Sequence, residues 1–120
     1  MSELFDRTSI LLDIKKMLGL DENYSAFDRD VIININSAFL GLNQLGIGPE
    51  DGFSISGESD SWEDFVGNEK RLECIKQYIF LRVKTIFDPP ASSAVAEAYN
   101  KQMAELEFRM NVFVDPKSIL

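Results

Sequence analysis

Apolar residues recur at three- and four-residue spacing in four long segments of the chain, as in helices that bury one face. The first two segments predict helices over about 8–18 and 26–45. The other two predict helices over about 69–87 and 94–112. The predicted fold class is therefore all-α, with four main helices in a compact bundle.

Residues typical of helix ends flank the first two helices. Thr8 or Ser9 is placed to cap the start of the first helix, and Gly19 suits its left-handed end. The segment 25–28 resembles a capping box with Asp in place of Glu, and Gly46 follows the second helix. These signals set the expected boundaries of both helices.

The segment between the second and third helices has a different composition. Residues 46–61 are rich in Gly, Pro and Ser, which mark turns. Phe53 and Ile55 alternate with serines, so the segment is either a loop or a short β-hairpin. Ser61 then suits the start of a one-turn helix over 62–66.

The third helix is apolar on more than one side, which is typical of a central helix. One apolar stripe consists of Leu72, Ile75, Ile79, Val83 and Ile86. The single cysteine, Cys74, lies within the apolar pattern of this helix and is interpreted as a small core residue.

The chain of 120 residues fits one domain spanning 1–120. Its ordered core is expected over about 8–113, with a flexible C-terminal tail over 114–120. No apolar run approaches the length of a membrane span, and the first residues do not resemble a signal peptide. We therefore expect no membrane contact.

Few residue types in this chain are suited to catalysis or to tight metal binding. It has no histidine and one cysteine, so histidine triads, thiolate clusters and intrachain disulfides are excluded. Adjacent carboxylates such as Glu63 and Asp64 point in different directions on a helix and do not converge on one atom. We expect no enzyme activity, no cofactor and no metal.

One segment partly matches a calcium-binding loop. Asp21, Asn23 and Ser25 fit the first alternating ligands of an EF-hand. Ala26 then stands at the position that requires glycine, and Ile32 at the position that requires a bidentate glutamate. The segment is better interpreted as a turn that leads into a helix.

The net charge of −8 argues against a protein that holds nucleic acid, since phosphate contacts need a basic face. The basic residues of the third helix spread around its circumference instead of gathering on one side. An acidic chain can still lie beside DNA without binding it.

Several apolar residues have no evident place in the core of the bundle. They are either interface residues, since exposed apolar clusters often mark protein contacts, or residues that the domain buries itself. The candidates for a subunit or partner interface are Ile33, Leu40, Phe53, Ile55, Trp62, Phe65, Phe108 and Val112.

The order of packing and capping segments resembles the small helical head–tail connector proteins of long-tailed bacteriophages, also known as DNA-packaging or head-completion adaptors. The resemblance covers roughly residues 8–113 and contains no chemical motif. It is carried by the segments 10–15, 48–53, 61–65, 72–79, 87–93 and 105–109, and by the long second helix.

The resemblance implies a structural virion protein at the head–tail junction, made in the host cytoplasm. Such proteins form a ring below the portal, with twelve-fold symmetry when assembled, extend the DNA channel and dock a downstream head-completion or tail-completion protein. DNA passes through the ring without sequence-specific binding. The alternative interpretation is a small helical adaptor or regulatory subunit that is not tied to a phage particle.

Overall fold

The computed structural model describes residues 8–66 and 71–114 of the chain, and it describes the side chains of 8–65 and 71–110. Five helices lie in this part and no strand does, so the all-α fold class is confirmed. The helices are α1 (Ile10–Met17), α2 (Asp28–Gln44), α3 (Trp62–Val66), α4 (Leu72–Phe87) and α5 (Ser93–Val114). Residues 115–120, most of the predicted tail, lie outside the described residues.

Helix α4 is the central helix, as its pattern predicts. It packs against α1, α2 and α5, whereas the main contact of α5 is with α4. The core therefore forms around α4, against which both α2 and α5 pack. The most deeply buried side chains of the core include Trp62, Tyr78, Phe39, Ile10, Leu11, Ile14, Ile35, Leu42, Ile75 and Ile79.

Local signals define both ends of α1. The Leu12 backbone N–H donates to Ser9 Oγ at 3.3 Å, which identifies Ser9 as the cap. Gly19 follows the helix with φ of 82°, a conformation that glycine adopts without a steric penalty. Gly46, with φ of 81°, plays the same part after α2.

The predicted capping box at the start of α2 is wrong. Helix α2 begins at Asp28, and the preceding residue, Phe27, makes no side-chain capping bond. The Asp28 N–H donates to the backbone oxygen of Ser25 at 3.1 Å. Ser25 therefore belongs to the turn before the helix and does not cap it.

Lys15 fixes that turn from within α1. Only 1% of Lys15 is exposed, and its Nζ donates to the backbone oxygens of Glu22 at 3.1 Å and Tyr24 at 2.8 Å. The same nitrogen lies 2.8 Å from Asp28 Oδ1 at the start of α2. These three partners offset the cost of burying a cation, and they hold the connection between α1 and α2.

Residues 46–61 form a loop, which is one of the two predicted alternatives. The loop returns to α1 through an isolated antiparallel bridge between Ser9 and Ser61. The Ile10 N–H donates to Asp60 O at 2.9 Å. The Ser61 N–H donates to Asp64 Oδ2 at 2.9 Å, and the Asp64 N–H donates to Ser61 Oγ at 3.4 Å. This reciprocal pair caps α3, the predicted one-turn helix.

Candidate functional site

Three of the eight candidate interface residues are buried inside the chain itself. Trp62 is fully buried, and only 4% of Ile55 and 4% of Phe65 are exposed. The Trp62 Nε1–H donates to Asp13 Oδ2 at 2.9 Å, and Lys76 Nζ lies 5.3 Å from the indole centroid. Trp62 therefore joins α1, α3 and α4 in the core, which is the alternative that the sequence leaves open for these residues.

Phe53 lies at the edge of the same core. Its ring centroid is 5.0 Å from that of Phe39 on α2 and 5.2 Å from that of Phe65. The side chain remains partly exposed. This contact of three aromatic rings attaches the middle of the loop to α2 and α3.

Two asparagines of α2 bind the backbone of the loop. Asn36 donates from Nδ2 to Ile55 O at 3.0 Å and accepts from the Ile55 N–H at 2.7 Å. Asn43 donates from Nδ2 to Pro49 O at 3.2 Å and to Glu50 O at 3.4 Å. The loop therefore lies along α2 in a defined position and carries its acidic side chains with it.

The other candidates divide into an exposed set and one that is not described. Ile33 is 56% exposed, Leu40 is 59% exposed and Phe108 is 68% exposed. Ile33 and Leu40 lie on the outer face of α2, and Phe108 lies on the outer face of α5. Val112 falls within α5, but its side chain lies outside the described part. A subunit interface that uses these residues involves the outer faces of α2 and α5.

The structure also shows an exposed apolar group of which the sequence candidates include only Ile33. Tyr24, Phe27 and Ile86 are 49%, 40% and 54% exposed. Phe27 and Ile86 line one hollow with Ile33, and the Tyr24 ring centroid lies 5.7 Å from that of Phe27. The ring centroids of Phe27 and Phe87 are 5.3 Å apart, edge to face. We call this group, with Ile33, the end patch.

The sequence places two members of the end patch wrongly. Ile86 belongs by spacing to the buried stripe of α4, but it lies in the last turn, where the bundle leaves it exposed. Phe27 lies inside the false capping box. Apart from the candidate Ile33, the clustering of Tyr24 and Phe27 just before a helix is a sequence signal that points to this surface.

A polar cluster joins α4 and α5 beneath the surface. The Tyr78 hydroxyl donates to Glu107 Oε2 at 3.2 Å and accepts from Arg82 Nη1 at 3.2 Å. Burial raises the pKa of Tyr78 above its ordinary value, and the neighbouring Arg82 opposes this shift. The hydroxyl therefore stays protonated near neutral pH, and its hydrogen bonds connect two helices.

The carboxylates of the described residues do not assemble a metal site. No group of three or more potential ligands comes together in the part of the chain that the structure describes. In the segment that partly resembles an EF-hand, Asp21 Oδ1 accepts from the Asn23 N–H at 2.8 Å. This contact is an Asx turn, in agreement with the interpretation of the segment as a turn.

The charge of the chain is unevenly distributed. Residues 30–69 contain eight acidic residues and no Lys or Arg. The rest of the chain carries twelve acidic and twelve basic residues, so the whole net charge of −8 belongs to 30–69. Glu50, Asp51 and Glu58 are exposed on the loop. These three carboxylates give the loop an acidic surface.

The chain was compared with protein families, curated proteins and solved structures. The family described as phage connector protein matches residues 10–117. The chain belongs to the phage connector protein family. No curated protein and no solved structure gave a match.

Membership of this family identifies a structural component of the virion that acts at the connection between phage head and tail. It implies contacts with other phage head or tail proteins. Within the described residues, no helix is long and apolar enough to cross a membrane.

Proposed function

We propose that this phage connector forms a ring below the portal, with twelve-fold symmetry when assembled. The ring extends the DNA channel and docks a downstream head-completion or tail-completion protein. Assembly takes place in the host cytoplasm. The family match over residues 10–117 is the observation that carries this proposal.

The surface of the chain supports an assembly role. The rigid core leaves large apolar side chains exposed on α2, on α5 and at the end patch. Exposed groups of this kind mark protein contacts. A closed ring requires two different contact surfaces on each subunit, because neighbours meet head to tail. The separate locations of the exposed groups fit this requirement.

The acidic loop supports the second part of the proposal, a channel that DNA passes without binding. Glu50, Asp51 and Glu58 are exposed, and no cation lies in the segment 30–69. Acidic groups repel phosphate, and a repulsive wall gives DNA no site to hold. We propose that these loop carboxylates face the DNA path.

Binding to the purified portal of the same phage tests the proposed function. We expect the connector to bind the portal ring and to add a second ring of density beneath it in electron micrographs. The portal of an unrelated phage serves as the control and should not bind. Lack of binding to the cognate portal, with both proteins folded, contradicts the proposal.

A further inference from the structure

Two exposed stripes run along the outer faces of α2 and α5. We call the first the α2 stripe; it consists of the exposed residues Arg29, Ile33 and Leu40, and it lies beside Asn36 and Asn43, whose amides bind the loop. We call the second the α5 stripe; it consists of Glu97, Lys101, Ala104 and Phe108. Members of each stripe are three, four or seven residues apart, so they share one side of their helix.

Each stripe carries an apolar side chain that its own subunit does not cover. Among the described residues, Phe108 and Leu40 are the two most exposed large apolar side chains, at 68% and 59%. Both point away from the core, because the buried residues of each helix lie on the opposite side. Mutual contact would remove both side chains from water.

The charges on the two stripes are complementary and equally spaced. Arg29 precedes Leu40 by eleven residues, and Glu97 precedes Phe108 by eleven residues. Eleven residues of α-helix span about 16 Å. Both charged side chains are exposed, and neither forms an ion pair within the described part of the chain. A parallel alignment that pairs Leu40 with Phe108 therefore also pairs Arg29 with Glu97.

The positions between these two pairs are also compatible. In this register the small side chain of Ala104 lies opposite Asn36, whose amide is bound to Ile55 of the loop. Lys101 lies opposite Ile33, where its aliphatic stem covers an apolar side chain while the amine reaches water. No like charges meet in this alignment.

We infer that the α5 stripe of one copy packs in parallel against the α2 stripe of the next copy. The inference rests on the proposed ring and specifies its subunit contact. Because the two stripes lie on different helices, each subunit offers its α5 stripe to one neighbour and its α2 stripe to the other. A contact between two unlike surfaces is heterologous and propagates around a ring.

Disulfide cross-linking tests the register of the contact. In a Cys74→Ser background, Leu40→Cys with Phe108→Cys should cross-link portal-bound copies into a ladder of multimers under mild oxidation. A disulfide requires Cβ atoms within about 4.5 Å, so its formation reports direct contact. Ile33→Cys with Phe108→Cys is the matched control, displaced by about 10 Å along the helix, and should give no ladder.

Electron micrographs of the same samples separate the two proposals. A ring on the portal without the Leu40–Phe108 cross-link, or with an equal cross-link in the control, overturns the inferred contact and leaves the proposed function intact. The absence of any ring contradicts the proposed function and, with it, the inferred contact. Thermal melting of the unassembled variants checks that these exposed substitutions leave the fold unchanged.

Charge exchange tests the second pair independently. Arg29→Glu and Glu97→Arg should each lower the amount of assembled ring about tenfold, because each places like charges opposite one another. Combining them restores opposite charges and should return assembly to within about twofold of the original protein. A double variant that assembles no better than the single variants overturns the pairing of Arg29 with Glu97.

Discussion

Gly48 occupies a position in the loop that side chains rarely tolerate. Its φ of +90° lies in the left-handed region, and a Cβ atom there would lie 2.4 Å from Cε1 of Phe65. Phe65 cannot move away easily, because its ring packs against Phe39 at a centroid distance of 4.7 Å. The absence of a side chain at Gly48 therefore permits the packing of α3 on α2.

Gly48→Ala should destabilise the protein by about 2 to 4 kcal/mol, since backbone strain and overpacking add. Chemical denaturation measures this loss of unfolding free energy. Gly19→Ala is a control that isolates the backbone cost of about 1 kcal/mol. Gly19 has φ of +82°, and no atom lies within 4 Å of the position of an added Cβ. Gly57→Ala, with open space around it, should change stability by less than about 0.5 kcal/mol. Equal stability of the three variants would show that the close approach of Phe65 has no cost.

Asn36 sets the position of the loop relative to α2. Its side chain makes both a donor and an acceptor contact with the backbone of Ile55, so it acts as a short strand partner for the loop. The site is partly buried, and removal of the amide leaves two backbone groups without partners. Attachment of the loop therefore depends strongly on this one residue.

Asn36→Ala should lower the unfolding free energy by about 2 kcal/mol and expose the Ile55 amide to exchange. Hydrogen exchange at residues 53–56, together with denaturation, measures both effects. Asn43→Ala is the matched control on the same helix. Its contacts of 3.2 and 3.4 Å are longer and exposed, so the loss of unfolding free energy should stay at about 0.5 kcal/mol. If Ile55 keeps its protection in Asn36→Ala, the loop is held by its apolar contacts alone.

The boundaries of the helices show which parts of the fold can be read from the sequence. The cap at Ser9 and the end at Gly19 depend on neighbouring residues only, and both predictions are confirmed. The start of α2 depends instead on Lys15, which binds the turn from α1. Because this contact comes from an earlier helix, the local capping pattern at Ser25 gives the wrong answer.

The candidate surface residues show the same difference between local sequence signals and contacts with distant elements. Helical spacing alone places Ile33, Leu40 and Phe108 outside the core, and all three are exposed in the structure. Burial of Trp62 depends on the loop returning to α1, where Asp13 accepts its indole N–H. No short-range pattern contains that information, so the sequence leaves the fate of the loop residues open.

On the scale of the whole molecule, the segregation of charge along the chain distinguishes the segment 30–69, which includes the loop, from the rest of the protein. The loop is bound to α2 through Asn36, and α2 packs on α4. The acidic loop therefore occupies a fixed place in each subunit. In a ring, a fixed acidic element on every subunit becomes a continuous acidic band. Repulsion from such a band acts on the phosphates of DNA and is weakened by salt.

Reversal of the loop charges should convert this surface into one that retains DNA. Glu50→Lys with Asp51→Lys changes the net charge from −8 to −4, since each substitution adds two positive charges. Assembled particles with this variant should release DNA more slowly, and the effect should fade as salt increases. The rate of DNA release at several salt concentrations measures it.

Glu22→Lys with Glu73→Lys is the matched control, because it gives the same net charge from exposed residues outside the segment 30–69. If only the loop variant slows release, the position of the charge matters and the loop faces DNA. Equal slowing by both variants would mean that total charge alone governs the interaction. Unchanged release in the loop variant would place the loop away from the channel, where its carboxylates contact another virion protein instead.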